Sequence, residues 1–178
     1  MFRIVSAVTS LEQHGVAIAR DPEVYRPVAC PHCGIGGLWR HGCYHRKADR
    51  DARPGASRNP VPILRFCCQG CRRTCSRLPA CIAPRRWYDW AVQQLVLLCL
   101  LGAGSLHQAS RLCGVDRHTA RRWWNWLEAR NETFAFFLRS RFPEWGRARD
   151  RESFWRTCLG DRPLHEVMAW LDRELIVP

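Results

Sequence analysis

Two short stretches decide how this sequence is read: Cys30-Pro31-His32-Cys33-Gly34 and Cys68-Gln69-Gly70-Cys71. One CxxC pair supplies only an edge of a tetrahedron, so a tetrahedral metal needs a second pair from elsewhere in the chain. Two such pairs around an intervening segment predict a four-cysteine zinc ribbon with Cys30, Cys33, Cys68 and Cys71 as ligands to one structural Zn²⁺. Gly34 follows the first pair, where the turn favours positive φ, and Gly70 inside the second pair relaxes the matching turn. Neither pair opens an amphipathic helix, as a thioredoxin-like redox CxxC does. Met1 to Gly15 shows no basic segment followed by an unbroken apolar run, since Glu12 and His14 interrupt it. The expectation is a chain without a signal peptide, cytoplasmic, with reduced thiols that favour metal over disulfide.

Seven of the eleven cysteines remain. Cys99 and Cys113 fall in apolar helical contexts and read as small buried hydrophobes. Cys43, Cys67, Cys75 and Cys81, with His32, His41 and His45, surround the ribbon, but a second metal among them has no clean ligand spacing. Trp39 and Tyr44 read either as ribbon core or as rings on which RNA bases stack.

Composition narrows the partner. The 178 residues carry 28 Lys and Arg against 16 Asp and Glu, a net charge of +12, and Lys47 is the single lysine. Arginine forks pair bidentately with phosphate, and so basic a chain points to a polyanion, most simply nucleic acid. The longest apolar run, Leu95 to Leu101, is too short to span a bilayer, so no membrane partner is expected.

Four regions are expected in order. In residues 1–27, Phe2 to Val5 reads as a short strand, and Ser10 caps a helix over Leu11 to Ala19 that stops at Asp21-Pro22. In residues 28–82, the ribbon, strands are expected at Gly37 to Tyr44, at Val61 to Cys67, and from Arg72 to Ser76. Between the first two lies a flexible basic loop, Arg46 to Asn59, which either lies against phosphate or is simply solvated. A unit this small needs its metal to fold. In residues 84–142, a helix from about Arg86 to Leu101 carries Trp87, Trp90, Ala91, Leu95, Leu98 and Leu101 at helical spacing, widened by Val96, Leu97 and Leu100. Ser105 caps a second helix, Leu106 to Cys113, which Gly114 ends; Asp116 caps a third. A short helix, a glycine turn and a longer helix predict a helix-turn-helix. Ala120, Trp124 and Leu127, flanked by Trp123, form its inner face. Arg117, His118, Thr119, Arg121, Arg122 and Asn125 are left outside, where a recognition helix meets the major groove of double-stranded DNA. The third helix extends through Asn131 to Phe142. In residues 143–178, a mixed charged stretch precedes a helix opened by Pro163, with an apolar stripe of Leu164, Val167, Met168 and Leu171 that either packs back or binds a partner. The fold class is therefore α+β.

The order of parts, with CPxCG at Cys30–Gly34, a basic segment, Arg65-Phe66-Cys67-Cys68-Gln69-Gly70-Cys71-Arg72-Arg73-Thr74-Cys75-Ser76 and a helix-turn-helix, resembles the N-terminal DNA-binding region of bacterial insertion-sequence transposases. It is most similar to their first-frame accessory type and to related uncharacterised bacterial domains. The resemblance covers residues 25–130. Cys75 stands where that family commonly has Phe, and the 34 residues between Cys33 and Cys68 are a long insert. The resemblance implies binding to element-end DNA, in the nucleoid, with or without a catalytic transposase subunit as partner. The 51 residues after Leu127 show no pattern of a parallel sheet. Asp150, Asp161, Glu166 and Asp172 read as surface charges and caps rather than a two-metal triad. The expectation is a DNA-binding protein without its own catalytic domain. The alternatives are an interaction or accessory subunit of a transposition complex, or a strand-transfer enzyme.

Overall fold

A computed structural model of the chain describes residues 3–49, 55–84 and 88–174. Helices and a small antiparallel sheet make it an α+β protein. It divides into two compact units, Met1–Trp87 with Asp172–Pro178, and Tyr88–Leu171.

The first unit contains β1 (Ile4–Val5), α1 (Leu11–Arg20), β2 (Leu38–Arg46), β3 (Val61–Cys68), β4 (Thr74–Cys75) and β5 (Leu78–Pro79). β2, β3 and β4 form an antiparallel sheet with β3 central, and β1 pairs with β5 in parallel. β3 reads V-P-I-L-R-F-C-C because both of its faces are covered. Leu64, Phe66 and Cys68 pack with Val5, Val8, Tyr25, Cys30 and Leu38 on one side, and Val61 and Ile63 pack with Leu78 and Ile82 on the other. A near-continuous apolar run is what a strand buried on two sides requires. Val5, Val8 and Tyr25 of the N-terminal segment are thus part of this core, with Ala17 and Ile18 of α1 against it. Ser10 caps α1 by accepting from the Gln13 N–H at 3.1 Å. Buried His14 sits with Nδ1 2.6 Å from the Tyr25 hydroxyl and Nε2 2.8 Å from the Pro62 carbonyl.

Two strand expectations need correction. The first strand is Leu38–Arg46 rather than Gly37 to Tyr44. In the stretch 72–76 only Thr74 and Cys75 pair, because Arg72 adopts φ +60° and turns the chain before β4. The loop after β2 is fastened at its base, where Asp49 N–H donates to Asn59 Oδ1 (3.0 Å) and Arg58 N–H to Asp49 Oδ2 (2.7 Å). Arg50 and Arg53 of that loop lie outside the described residues.

The second unit holds α2 (Trp90–Leu101), α3 (Leu106–Cys113), α4 (Arg117–Arg141), α5 (Arg151–Asp161) and α6 (Leu164–Glu174), the last of which crosses the division at Asp172. α2 starts at Trp90, capped by Asp89, rather than near Arg86; Arg86 and Trp87 lie outside the described residues. Its buried face is Trp90, Gln93, Val96, Leu97 and Leu101, whereas Leu95 is 58% exposed and Ala91 is exposed. Ser105 caps α3, and Gly114 ends it at φ +63°, the left-handed C′ position glycine takes without strain. Cys99 and Cys113 are half-buried rather than buried.

In α4 the inner residues are Ala120, Trp123 and Leu127. Trp124 is the flanking one, half-buried with the Arg151 guanidinium 5.1 Å from its ring centre. The helix ends at Arg141, and Pro143–Arg147 makes a 3₁₀ turn with Trp145 buried. The mixed stretch after it contains a helix that composition conceals: Asp150 caps α5 through the Ser153 N–H (2.7 Å), and Phe154, Trp155, Cys158 and Leu159 are buried at helical spacing. The α6 stripe of Leu164, Val167, Met168 and Leu171 is buried inside the chain. Gln94 joins α5 to α6, donating to the Leu159 carbonyl (2.7 Å) and accepting from the Leu164 N–H (2.6 Å).

Of the four carboxylates, Asp150 is a cap, and Asp161 and Glu166 each pair with Arg162. Asp172 is not on the surface. It is buried and accepts the Arg3 and Ile4 N–H groups, tying β1 to the end of the chain.

Candidate functional site

The two CxxC turns bring Cys30, Cys33, Cys68 and Cys71 together with every pair of sulfurs within 4.8 Å. Cys30 Sγ lies 3.6 Å from Cys71 Sγ, and Cys33 Sγ 3.6 Å from Cys68 Sγ. Four thiolates around one tetrahedral ion, with metal–sulfur bonds of about 2.3 Å, have edges of about 3.8 Å. The group therefore has the chemistry and the spacing for a single structural metal.

The two turns are copies of one another. Gly34 N–H donates to the Cys30 carbonyl (2.9 Å) and Arg72 N–H to the Cys68 carbonyl (3.0 Å). Cys30 N–H donates to the Ile35 carbonyl (2.8 Å) and Cys68 N–H to the Arg73 carbonyl (3.0 Å). Gly34 at φ +74° is matched by Arg72 at φ +60°. The second turn thus places a non-glycine residue where the first uses glycine. Gly70 does not relax the turn through positive φ. A side chain there would bring a Cβ within 2.8 Å of Ile35 Cδ1 and 3.7 Å of Cys68 Sγ, so its role is close packing of one turn on the other.

The thiols do not titrate alike. Burial opposes ionisation of Cys30, but the His32 and Cys33 N–H groups and the thiols of Cys71 and Cys68 outweigh it and bring its pKa to about 7. At Cys71 the Arg73 N–H favours the thiolate, yet burial and hydrogen bonding to Cys30, Cys33 and Cys68 push it to about 11. Such a set gives up its last protons when a cation takes their place. Among the described residues no other His, Cys, Asp or Glu side chains converge in this way. Cys67 instead faces the Arg72 carbonyl at 3.5 Å, and burial raises the Cys75 thiol to about 11.

A second cluster lies on α4. Arg117, His118, Arg121, Arg122 and Asn125 are exposed on its first turns and Thr119 is half-buried. Asp116 caps the helix by accepting the His118 N–H at 2.8 Å. Arg122 reaches back to Thr119 Oγ1 at 3.4 Å. The turn from α3 is three residues, Gly114 to Asp116, closed by the Val115 N–H to the Ser110 carbonyl (3.2 Å) and Ser110 Oγ to the Val115 carbonyl (2.6 Å). The opposite face of α4 is spent on Ala120, Trp123 and Leu127. The five exposed residues are therefore held out by a rigid helix rather than by a loop.

Of the two readings of Trp39 and Tyr44 the core one needs correction, and one feature of the charge went unread. Trp39 and Tyr44 are not core; they are 36% and 39% exposed on β2. The positive charge is also unevenly spread. Residues 24–87 hold thirteen Lys or Arg and two acids, Asp49 and Asp51, and a running charge count finds this without a structure. No described helix is long and apolar enough to cross a membrane. Comparison with family models, with curated proteins and with solved structures gave no match.

Proposed function

We propose that the chain is a zinc-dependent protein that binds duplex DNA, with a four-cysteine zinc ribbon in its first unit and a helix-turn-helix formed by α3 and α4 in its second. The observation that carries this is the exposed row Arg117, His118, Arg121, Arg122 and Asn125 on a capped helix whose other face is buried beside a three-residue turn. Arginine in the major groove reads guanine, asparagine reads adenine, and each good bidentate pair discriminates by about 1–3 kcal/mol. Zinc is the metal that suits four cysteines at tetrahedral spacing in a structural role. The order of the two modules is that of transposase DNA-binding regions, so the reading includes kinship with accessory proteins of mobile elements, acting on DNA in the bacterial cytoplasm without catalysis of their own.

Selection from random duplexes tests the reading. It should enrich one sequence class, and Arg121→Ala with Arg122→Ala should lose preference for that class by about tenfold or more while helix content is kept. Equal preference in the wild type and the double variant would overturn it.

A further inference from the structure

On the sheet face of Ile63 and Cys67, which Leu78 and Ile82 cover at one end, two rings stay exposed among basic side chains. β2 carries one extra residue between Arg40, opposite Phe66, and Cys43, opposite Leu64. Gly42 in that bulge sits at φ +74°, where only glycine is unstrained. Without the bulge, residues five apart point to opposite faces. With it, Trp39 pairs opposite Cys67 and Tyr44 opposite Ile63, four residues apart on β3, so the two rings share a face. Arg65 lies on the same face between them and reaches Thr74 Oγ1 at 3.2 Å. The Arg72 guanidinium lies 5.6 Å from the Trp39 ring centre. β2, β3 and β4 contain no acidic residue. Two exposed rings interleaved with arginines, on a unit whose net charge is strongly positive, match a polyanion that carries flat apolar faces.

We propose that this face binds unpaired DNA by base stacking. Four strand residues separate the rings by about 13 Å along β3. Stacked neighbours in a strand are about 3.4 Å apart, so Trp39 and Tyr44 each take their own base from an extended strand, with Arg65 and Arg72 toward its phosphates. Aromatic–base stacking of this kind tolerates sequence and is worth about 1–3 kcal/mol per base. The surface thus adds single-strand affinity to a protein whose α4 reads duplex. It rests on the duplex reading only for the choice of DNA as the polymer.

Anisotropy titration of a labelled oligothymidine of about twelve nucleotides at low salt tests it. Trp39→Ala and Tyr44→Ala should each weaken binding by about tenfold, while Trp39→Phe stays within about twofold because its ring still stacks. Arg121→Ala with Arg122→Ala should leave single-strand affinity unchanged, and Trp39→Ala should leave preference for the selected duplex unchanged, so the two readings fail separately. Tyr44→Ala repeats the test at a distance from the cysteines should Trp39→Ala lower the metal content. Wild-type affinity in both alanine variants would overturn the proposal, as would tighter binding of an oligouridine of equal length.

Discussion

The two units are built on opposite economies. The second holds together by large buried side chains: Trp123, Trp145, Trp155, Phe134 and Phe154 are all sealed from solvent, and it carries twelve arginines against nine acids. The first buries smaller clusters on two sides of one strand and carries sixteen Lys or Arg against seven acids. Like charges packed at that density oppose a compact state. A metal held by the four cysteines would offset this repulsion, because its bonds form only in the folded state. A unit that a metal could close concentrates positive charge, while the unit closed by packing balances twelve arginines with nine acids.

The sharpest break between the two is metal removal. Cys33→Ser or Cys71→Ser, or a chelator, should abolish the folded first unit, since structural zinc in such sites contributes on the order of 10 kcal/mol. Seven of the nine tryptophans belong to the second unit, so its fluorescence and helical dichroism should persist. Cys99→Ser should leave one zinc per chain by elemental analysis. Joint collapse of both signals would contradict a division of stabilising forces.

Next in size is the face of α4. Trp123→Ala should cost about 3–5 kcal/mol in denaturant unfolding, as for other buried tryptophans. Trp124→Ala should cost about 1 kcal/mol, a ring half in solvent beneath Arg151. The reverse order would mean that the helix presents a different surface, and Arg121 and Arg122 with it.

Two left-handed glycines compare the units directly. Gly34→Ala in the first and Gly114→Ala in the second meet no neighbouring atom, so each should cost only the backbone strain of a Cβ at positive φ, about 1–2 kcal/mol. A much larger loss at Gly34, read as lowered zinc content, would show that the turn is sensitive to more than φ.

The smallest effect is on pH. Burial lowers the pKa of His14, against the opposing hydrogen bond to Pro62. A depressed pKa means that the unfolded chain binds the proton first, so stability is fully present above the ordinary value of 6.5 and falls as pH drops below it. Unfolding of the first unit, followed from about pH 7 down to about pH 5, should show this slope on top of that of the cysteine thiols, and His14→Gln should remove only the His14 share. The helical unit should show none of it.

Much of this was legible from residue types. The caps Ser10, Ser105 and Asp116 and the stop at Gly114 announce α1, α3 and α4, because cap chemistry is local and short-range. The four cysteines were legible because each CxxC spacing is local, and the fold brings the two pairs together. What escaped depended on partners distant in sequence. α5 hid because its charged residues mask four buried ones whose contacts lie elsewhere. Asp172 looked like a surface charge until it was seen to accept the Arg3 and Ile4 N–H groups. Trp39 and Tyr44 read equally as core or as stacking rings because nothing in their own stretch signals the bulge, except Gly42, whose positive φ no local pattern demanded. Trp123 and Trp124 exchanged roles because adjacent tryptophans fit helical periodicity almost equally well.

The account assigns bulk charge to one unit and sequence reading to the other, and salt dependence separates these terms. Affinity for the selected duplex and for random duplex should be measured against salt concentration, in the wild type and in the Arg121→Ala, Arg122→Ala double variant. The account predicts that the variant binds both duplexes nearly alike, with a salt slope reduced by only about two phosphate contacts. A variant that keeps full preference for the selected duplex, or that loses all salt-dependent binding, would contradict it.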